Sequence, residues 1–164
     1  MGFGAGCLVI HDWKLLLNLR GEGEAEPLTW CPFGGGAEPG ETAVQCMVRE
    51  LREEAGIELD LARCAYLGSR RRESYAFHSF VAFPRTCPDV TLSGESRDYG
   101  WFPLGNGPST LWSHLPRPLH SGMREIAASP SLAAILLSLR GRGPRPSTFT
   151  GQEAQMTASA APVR

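Results

Sequence analysis

The sequence predicts a mixed α/β domain, and three observations predict it. Short apolar runs bounded by turn residues lie on both sides of one long amphipathic stretch. That stretch, Thr42 to Ala55, carries helix signals at both ends. A second helical pattern follows late, between Ser121 and Leu139. Strands flanking a central helix, with another helix after them, give an α/β arrangement.

Phe3 to Ile10 is apolar and small, and reads as a buried strand. Asp12-Trp13 reads as a turn and Lys14 to Arg20 as the hairpin partner. Gly21 to Pro27 is a polar loop whose acids are solvated. Thr29 to Phe33 reads as a short strand running into Gly34-Gly35-Gly36. In the central helix Thr42 and Gln45 form a capping box. Val44, Val48, Leu51 and Ala55 make one apolar face, and Gly56 ends the helix. Leu61 to Gly68 and Ser74 to Phe83 read as strands separated by Arg70-Arg71-Arg72-Glu73, and Asp98 to Leu104 as another. Pro103, Pro108, Pro116 and Pro118 make the following stretch irregular. Ser121 to Ala128 and Ser131 to Leu139 read as helical, with Pro130 beginning the second piece. Gly141 to Arg164, rich in Gly, Pro, Ser, Thr and Ala, reads as a disordered tail. The expected organisation is a domain over 1–140 and a tail over 141–164, with no internal repeat.

Composition narrows the function. The chain has 164 residues, enough for one domain with a sizeable core. It is 42% hydrophobic and 20% charged with a formal net charge of −1, which argues against stable nucleic-acid binding through a basic excess. No apolar run approaches the roughly 18 residues of a membrane span. No secretory signal pattern opens the chain, so a cytoplasmic location is expected. Cys7, Cys31, Cys46, Cys64 and Cys87 are odd in number, widely spaced and without a CxxC pair. They read as free thiols in a reducing compartment, not as a zinc site. Lys14 is the one lysine among 16 basic residues, which reads as a genomic base-composition bias.

The chemistry concentrates in Glu50, Glu53 and Glu54. Positions i, i+3 and i+4 put three carboxylates on one helix face. Like charges at this spacing cost roughly 0.2–0.5 kcal/mol per pair. Arg49 and Arg52 lie off the cluster by sequence, so a divalent cation relieves the repulsion better. An all-carboxylate set selects Mg²⁺ or Mn²⁺ over zinc. Three glutamates alone are more often a solvated face. What changes the odds is their fixed distance from Gly35 and Glu41. From Gly35 to Ile57 the chain matches GX5EX7REUXEEXGU at every position, with U a bulky aliphatic residue. Chance agreement is roughly one in 10⁹ per start site at average residue usage.

This pattern is the signature of the Nudix hydrolases, and the sequence closely resembles that family. The resemblance implies an α/β/α sandwich with a mixed β-sheet over roughly Gly2 to Arg140. It implies cleavage of a nucleoside diphosphate linked to another moiety, with water attacking phosphorus. Glu53 and Glu54 are then core ligands of Mg²⁺ or Mn²⁺, joined by Glu50 and by a backbone carbonyl near Gly34 or Gly35. Arg49 is the orienting arginine, pairing a carboxylate such as Glu41. The general base is Glu53 or a downstream glutamate. Glu95 is the first candidate in that downstream region and Asp98 the second. Gly40 is explained by a turn of positive φ. The stretch is not a P-loop, because no Lys-Ser/Thr follows the glycines. Phe33 stands where many relatives have proline.

Substrate candidates are weaker. Arg70 and its neighbours read either as a phosphate clamp or as a solvated connection. Tyr75 stands near the distance at which a tyrosine accompanies dinucleoside-polyphosphate specificity in some relatives. Phe33, Trp30 and Trp101 are base-stacking candidates against a default of core packing. No metal spacing joins His11, His78, His114 and His120. The expected partner is a small-molecule nucleotide, a (d)NTP or related compound. The alternatives are a dinucleoside polyphosphate, an NDP-sugar, or a module that binds nucleotide without cleaving it. A homodimer is common among relatives.

Overall fold

The computed structural model describes residues 2–104 and 107–110. The helices expected at Ser121–Ala128 and Ser131–Leu139, the tail, His114 and His120 lie outside the described residues. The described part is a mixed sheet with one long helix on it, the arrangement expected of an α/β sandwich.

Strands β1 (Gly2–His11) and β2 (Lys14–Arg20) form the first hairpin. Asp12 and Trp13 join them with φ of 47° and 59°. Two residues of positive φ make the turn whose twist matches that of the strands. The hairpin pairs only near this turn, at Val9↔Leu16 to His11↔Lys14. Beyond it β1 and β2 splay, and the chain from Trp30 to Gly36 wedges between them. Strand β3 (Trp30–Cys31) pairs with β2, and β4 (Phe33–Gly36) pairs antiparallel with β1. Pro32, which has no N–H to donate, stands at the switch between the two partners. The expected single strand ending at the glycines is therefore two strands, and the glycines lie inside the second.

Helix α1 (Ala43–Ala55) has the expected capping box. Gln45 N donates to Thr42 Oγ1 at 3.2 Å and Thr42 N to Gln45 Oε1 at 2.8 Å. Gly56 ends it at φ 65°. The buried face is Ala43, Val44, Cys46, Met47, Glu50, Leu51 and Ala55, with Val48 at its margin. It packs on Ala5, Cys7 and Val9 of β1 and on Phe33.

A 3₁₀ turn at Leu61–Arg63 leads into β5 (Cys64–Arg72), which returns as β6 (Tyr75–Ala82). Arg70, Arg71 and Arg72 are not a connection but the last residues of β5, paired with Phe77, Ala76 and Tyr75. Only Glu73 and Ser74 form the turn. A register shift between Tyr66 and Gly68, with Gly68 at φ 139°, marks a β-bulge. It reverses the alternation of β5, so Arg70 and Arg72 face away from α1. β6 pairs parallel with β1, and β7 (Ser96–Pro103) pairs antiparallel with β2. The face opposite α1 carries a second apolar cluster of Leu8, Ile10, Leu15, Leu17, Val81 and Phe83. Cys7, Cys31, Cys46 and Cys64 are buried free thiols, and Cys87 is exposed. Among the described residues no helix is long and apolar enough to cross a membrane.

Candidate active site

The site begins with glycines that have no room for a side chain. Gly35 pairs with Ala5 on the face toward α1. A Cβ on Gly35 would lie 2.7 Å from both carboxylate oxygens of Glu50. Gly34 has φ 151°, and a Cβ there would collide with the backbone of Ala5 and Gly6. Removing both side chains lets β4 press against the acidic end of α1. Gly34 N then donates to Glu54 Oε2 at 2.9 Å. Gly40, at φ 87°, has open space around it and needs glycine for its backbone alone.

Arg49 is the hub. Its Nε donates to Glu41 Oε1 at 2.8 Å and its Nη2 to Glu41 Oε2 at 3.0 Å, a bidentate pair. Nη1 donates to Glu50 Oε1 at 2.9 Å and to Glu53 Oε2 at 3.0 Å. Nη2 also donates to the Gly36 carbonyl at 2.8 Å. Glu41 Oε2 in turn accepts from Glu38 N at 2.7 Å, which closes the turn before the helix. One guanidinium therefore ties strand, turn and helix together. Spacing alone set Arg49 off the glutamate cluster, while the family resemblance paired it with Glu41; the structure contains that pair and adds Glu50 and Glu53. The arginine stem reaches one turn along the helix to Glu53, while β4 brings the Gly36 carbonyl to its other nitrogen. The Arg49 pairing holds Glu41 below the usual carboxylate range. The same bonds, Glu41 first, raise Arg49 above its ordinary value.

Glu50 and Glu54 are held differently. Glu50 is only 9% exposed, on the buried face of α1. Burial raises its pKa, and Arg49 opposes the rise. Burial pushes Glu54 up to about 7, against the hydrogen bond from Gly34. The charges of Glu50 and Glu95 add to this. Glu53 lies at the mouth, its side chain 52% exposed. Glu95 is exposed on the turn before β7, where its carbonyl accepts from Gly21 N at 3.1 Å. These four glutamates line one cavity of about 350 Å³, together with Glu24, Asn18, Arg20 and the three glycines.

No group of three or more His, Cys, Asp or Glu among the described residues stands as a ready-made metal cluster. Arg49 bridges Glu50 and Glu53 instead. The donor chemistry nevertheless fits a hard dication. Beyond burial, neighbouring carboxylates help raise Glu50 and Glu54 across the shared cavity, which marks an excess of negative charge. All the side-chain donors are carboxylate oxygens, the set that Mg²⁺ and Mn²⁺ take.

The substrate candidates divide. Arg70 and Tyr75 line a second cavity of about 380 Å³ that shares Arg20 and Gly34 to Gly36 with the first. Phe33 does not reach either cavity. It is fully buried in the core under α1, so packing replaces the base-stacking expectation. Trp101 lines neither cavity; it is partly buried against the core, its ring 6.4 Å from that of His11. Trp30 packs edge-on against Phe102, with ring centroids 4.7 Å apart. Asp98 is exposed and accepts from Tyr99 N at 2.7 Å. Sequence reasoning missed Arg20, Asn18 and Phe77. Phe77 shares a strand face with Tyr75, so period-two spacing carried that signal. Nothing local marked Arg20 or Asn18.

A profile of the NUDIX domain matches residues 2–126. Nucleoside triphosphatase NudI of Escherichia coli O81 (strain ED1a) is 29% identical over 99 residues, which is 53% of this chain and 70% of NudI. The fold is similar to the crystal structure of a MutT NUDIX hydrolase from Burkholderia pseudomallei. That match has a TM-score of 0.63 at 22% identity and covers 74% of this chain and 96% of the other. A C. elegans Ap4A hydrolase binary complex is similar at TM-score 0.57 and 22% identity, covering 80% of this chain and 98% of the other.

Proposed function

This chain belongs to the Nudix family and is a hydrolase of phosphoric anhydride bonds, and from that premise we propose that it cleaves (d)NTPs or related nucleotides with Mg²⁺ or Mn²⁺. The observation that carries the reading is the gathering of Glu50, Glu53, Glu54 and Glu95 around one cavity, held by Arg49.

The residues of the site divide the work. Glu50, Glu53 and Glu54, with a glycine carbonyl of β4, would hold the cation, which when bound would neutralise phosphate charge and acidify a water. Arg49 fixes the rotamers of Glu41, Glu50 and Glu53, so the donor set is held before substrate arrives. Arg20, which lines the same cavity and pairs with Glu24 at 3.1 Å, would meet the phosphate chain. Glu53 already accepts from Arg49, whereas the Glu95 carboxylate has no ion pair among the described residues. We therefore assign proton removal from the attacking water to Glu95. We also propose that the catalytic domain spans 1–140 and that 141–164 lies outside it.

The test is hydrolysis of a nucleotide panel by the pure protein with Mg²⁺ or Mn²⁺. Turnover is expected, with a drop of about 10²–10⁴-fold in kcat for Glu95→Gln, the range of general-base catalysis. Glu53→Gln is expected to lose activity as well. No hydrolysis of any member, or turnover unaffected by Glu53→Gln, sinks the reading.

A further inference from the structure

The second cavity lies on the sheet face opposite α1, and its contents follow from register. Gly2, Gly4 and Gly6 of β1 stand beside Tyr75, Phe77 and Ser79 of β6. A Cβ on Gly2 would lie 3.4 Å from the Tyr75 ring, and one on Gly6 would lie 3.0 Å from the Phe77 ring. A Cβ on Gly4 would collide with the Tyr75 hydroxyl. The two rings therefore lie over bare β1 backbone and leave an aromatic floor. Tyr75 is 43% exposed, so the floor is open to a ligand. Directly across from the rings, the β5 bulge has turned Arg70 and Arg72 onto the same face, opposite Phe77 and Tyr75. Neither arginine is in an ion pair among the described residues.

This cavity adjoins the carboxylate cavity. Both are walled by Gly34 to Gly36 and by Arg20. Along the sheet the order is β4, β1, β6, β5. Three strand spacings, about 14 Å, separate the glycine wall from the backbone of Arg70 and Arg72. The line therefore runs from a cation, Arg20, across two aromatic rings to two further cations. A volume of about 380 Å³ falls within the range of small-ligand sites.

We propose that this cavity receives the nucleoside of the substrate over Tyr75 and Phe77, and that Arg70 and Arg72 bind a second phosphate carried on its ribose. The proposal rests on the hydrolase reading above and names its substrate class. The scissile anhydride lies at the carboxylate end. The aromatic base needs the rings, and the pair of cations at the far end is unexplained by a substrate charged at one end only.

The experiment compares ligands that contain no anhydride, so it does not depend on turnover. Calorimetry is run with nucleoside 5′-monophosphates and with the matching 3′,5′- and 2′,5′-bisphosphates, in the adenosine and guanosine series. One bisphosphate is expected to bind the wild-type chain about tenfold tighter than its monophosphate, equivalent to about 1.4 kcal/mol. Arg70→Gln/Arg72→Gln is expected to abolish that advantage while the thermal midpoint holds. Arg70→Lys/Arg72→Lys is expected to keep part of it, since charge remains but bidentate geometry does not. Equal affinity for both ligands in both series, or an advantage that survives in the glutamine pair, overturns the proposal. Failure of the hydrolase reading would show instead in the Glu53→Gln comparison.

Discussion

Replacing Gly35 by alanine isolates what the glycine wall does. The added Cβ would meet Glu50 Oε1 and Oε2 at 2.7 Å and Cδ at 2.8 Å. Gly35 is not at positive φ, so no backbone strain confuses the result. The obstacle is a side chain, but not a free one. Glu50 is buried on the helix and bonded to Arg49, so it must leave a held position. Losing one charge-assisted hydrogen bond costs about 1.5–3 kcal/mol, and an off-rotamer torsion about 0.5–1.5 kcal/mol. Relaxation offsets part of the sum, leaving about 2 kcal/mol. For a chain of this size that lowers the thermal midpoint by about 4–8 °C. The catalytic effect is larger, because a donor displaced by about 1 Å costs about 10²-fold in rate. The adjacent Gly36→Ala is the control: a Cβ there meets nothing within 4 Å, and its midpoint should match wild type. The assay is thermal unfolding of both variants, with kcat/KM for Gly35→Ala. If Gly35→Ala unfolds with Gly36→Ala and retains full kcat/KM, the close-approach reasoning is wrong.

Three other outcomes follow from the same geometry. Without metal, Glu54 has a folded pKa of about 7 against 4.5 unfolded, so the folded state holds its proton longer. Stability therefore falls as pH rises from about 4.5 to about 7, by roughly 1–3 kcal/mol, and denaturant unfolding of Glu54→Gln should lack that slope. Arg49→Ala strands buried Glu50 and unties Glu41, and should cost about 2–4 kcal/mol by denaturant unfolding. Arg49→Lys should recover only part, because the bidentate bond to Glu41 is lost. Phe33→Ala should cost about 3–5 kcal/mol in stability, as a fully buried ring does. A raised KM with unchanged stability would restore Phe33 to the substrate.

Much of this molecule was readable along the chain because it is local. The capping box and Gly56 bound α1 through contacts within a few residues. The Asp12-Trp13 turn set the first hairpin. The spacing from Gly35 to Ile57 was legible as one pattern, because strand, turn and helix there are consecutive in sequence. What escaped was whatever depends on the partner strand. Whether Arg70 is a loop residue or a strand residue is decided by how far β6 pairs with β5. Which face Arg70 takes is decided by a bulge two residues earlier, and a one-residue slip reverses every side chain after it.

By itself, then, the sequence determined the helix, the cluster of acidic residues on it and the family they mark, since these follow from short-range periodicity and fixed spacing. Only the tertiary structure decided that Phe33 is core, that Arg49 bridges the carboxylates, and that Arg20 lines both cavities. Burial and cross-strand register depend on residues far apart in the chain, and no window of sequence contains them.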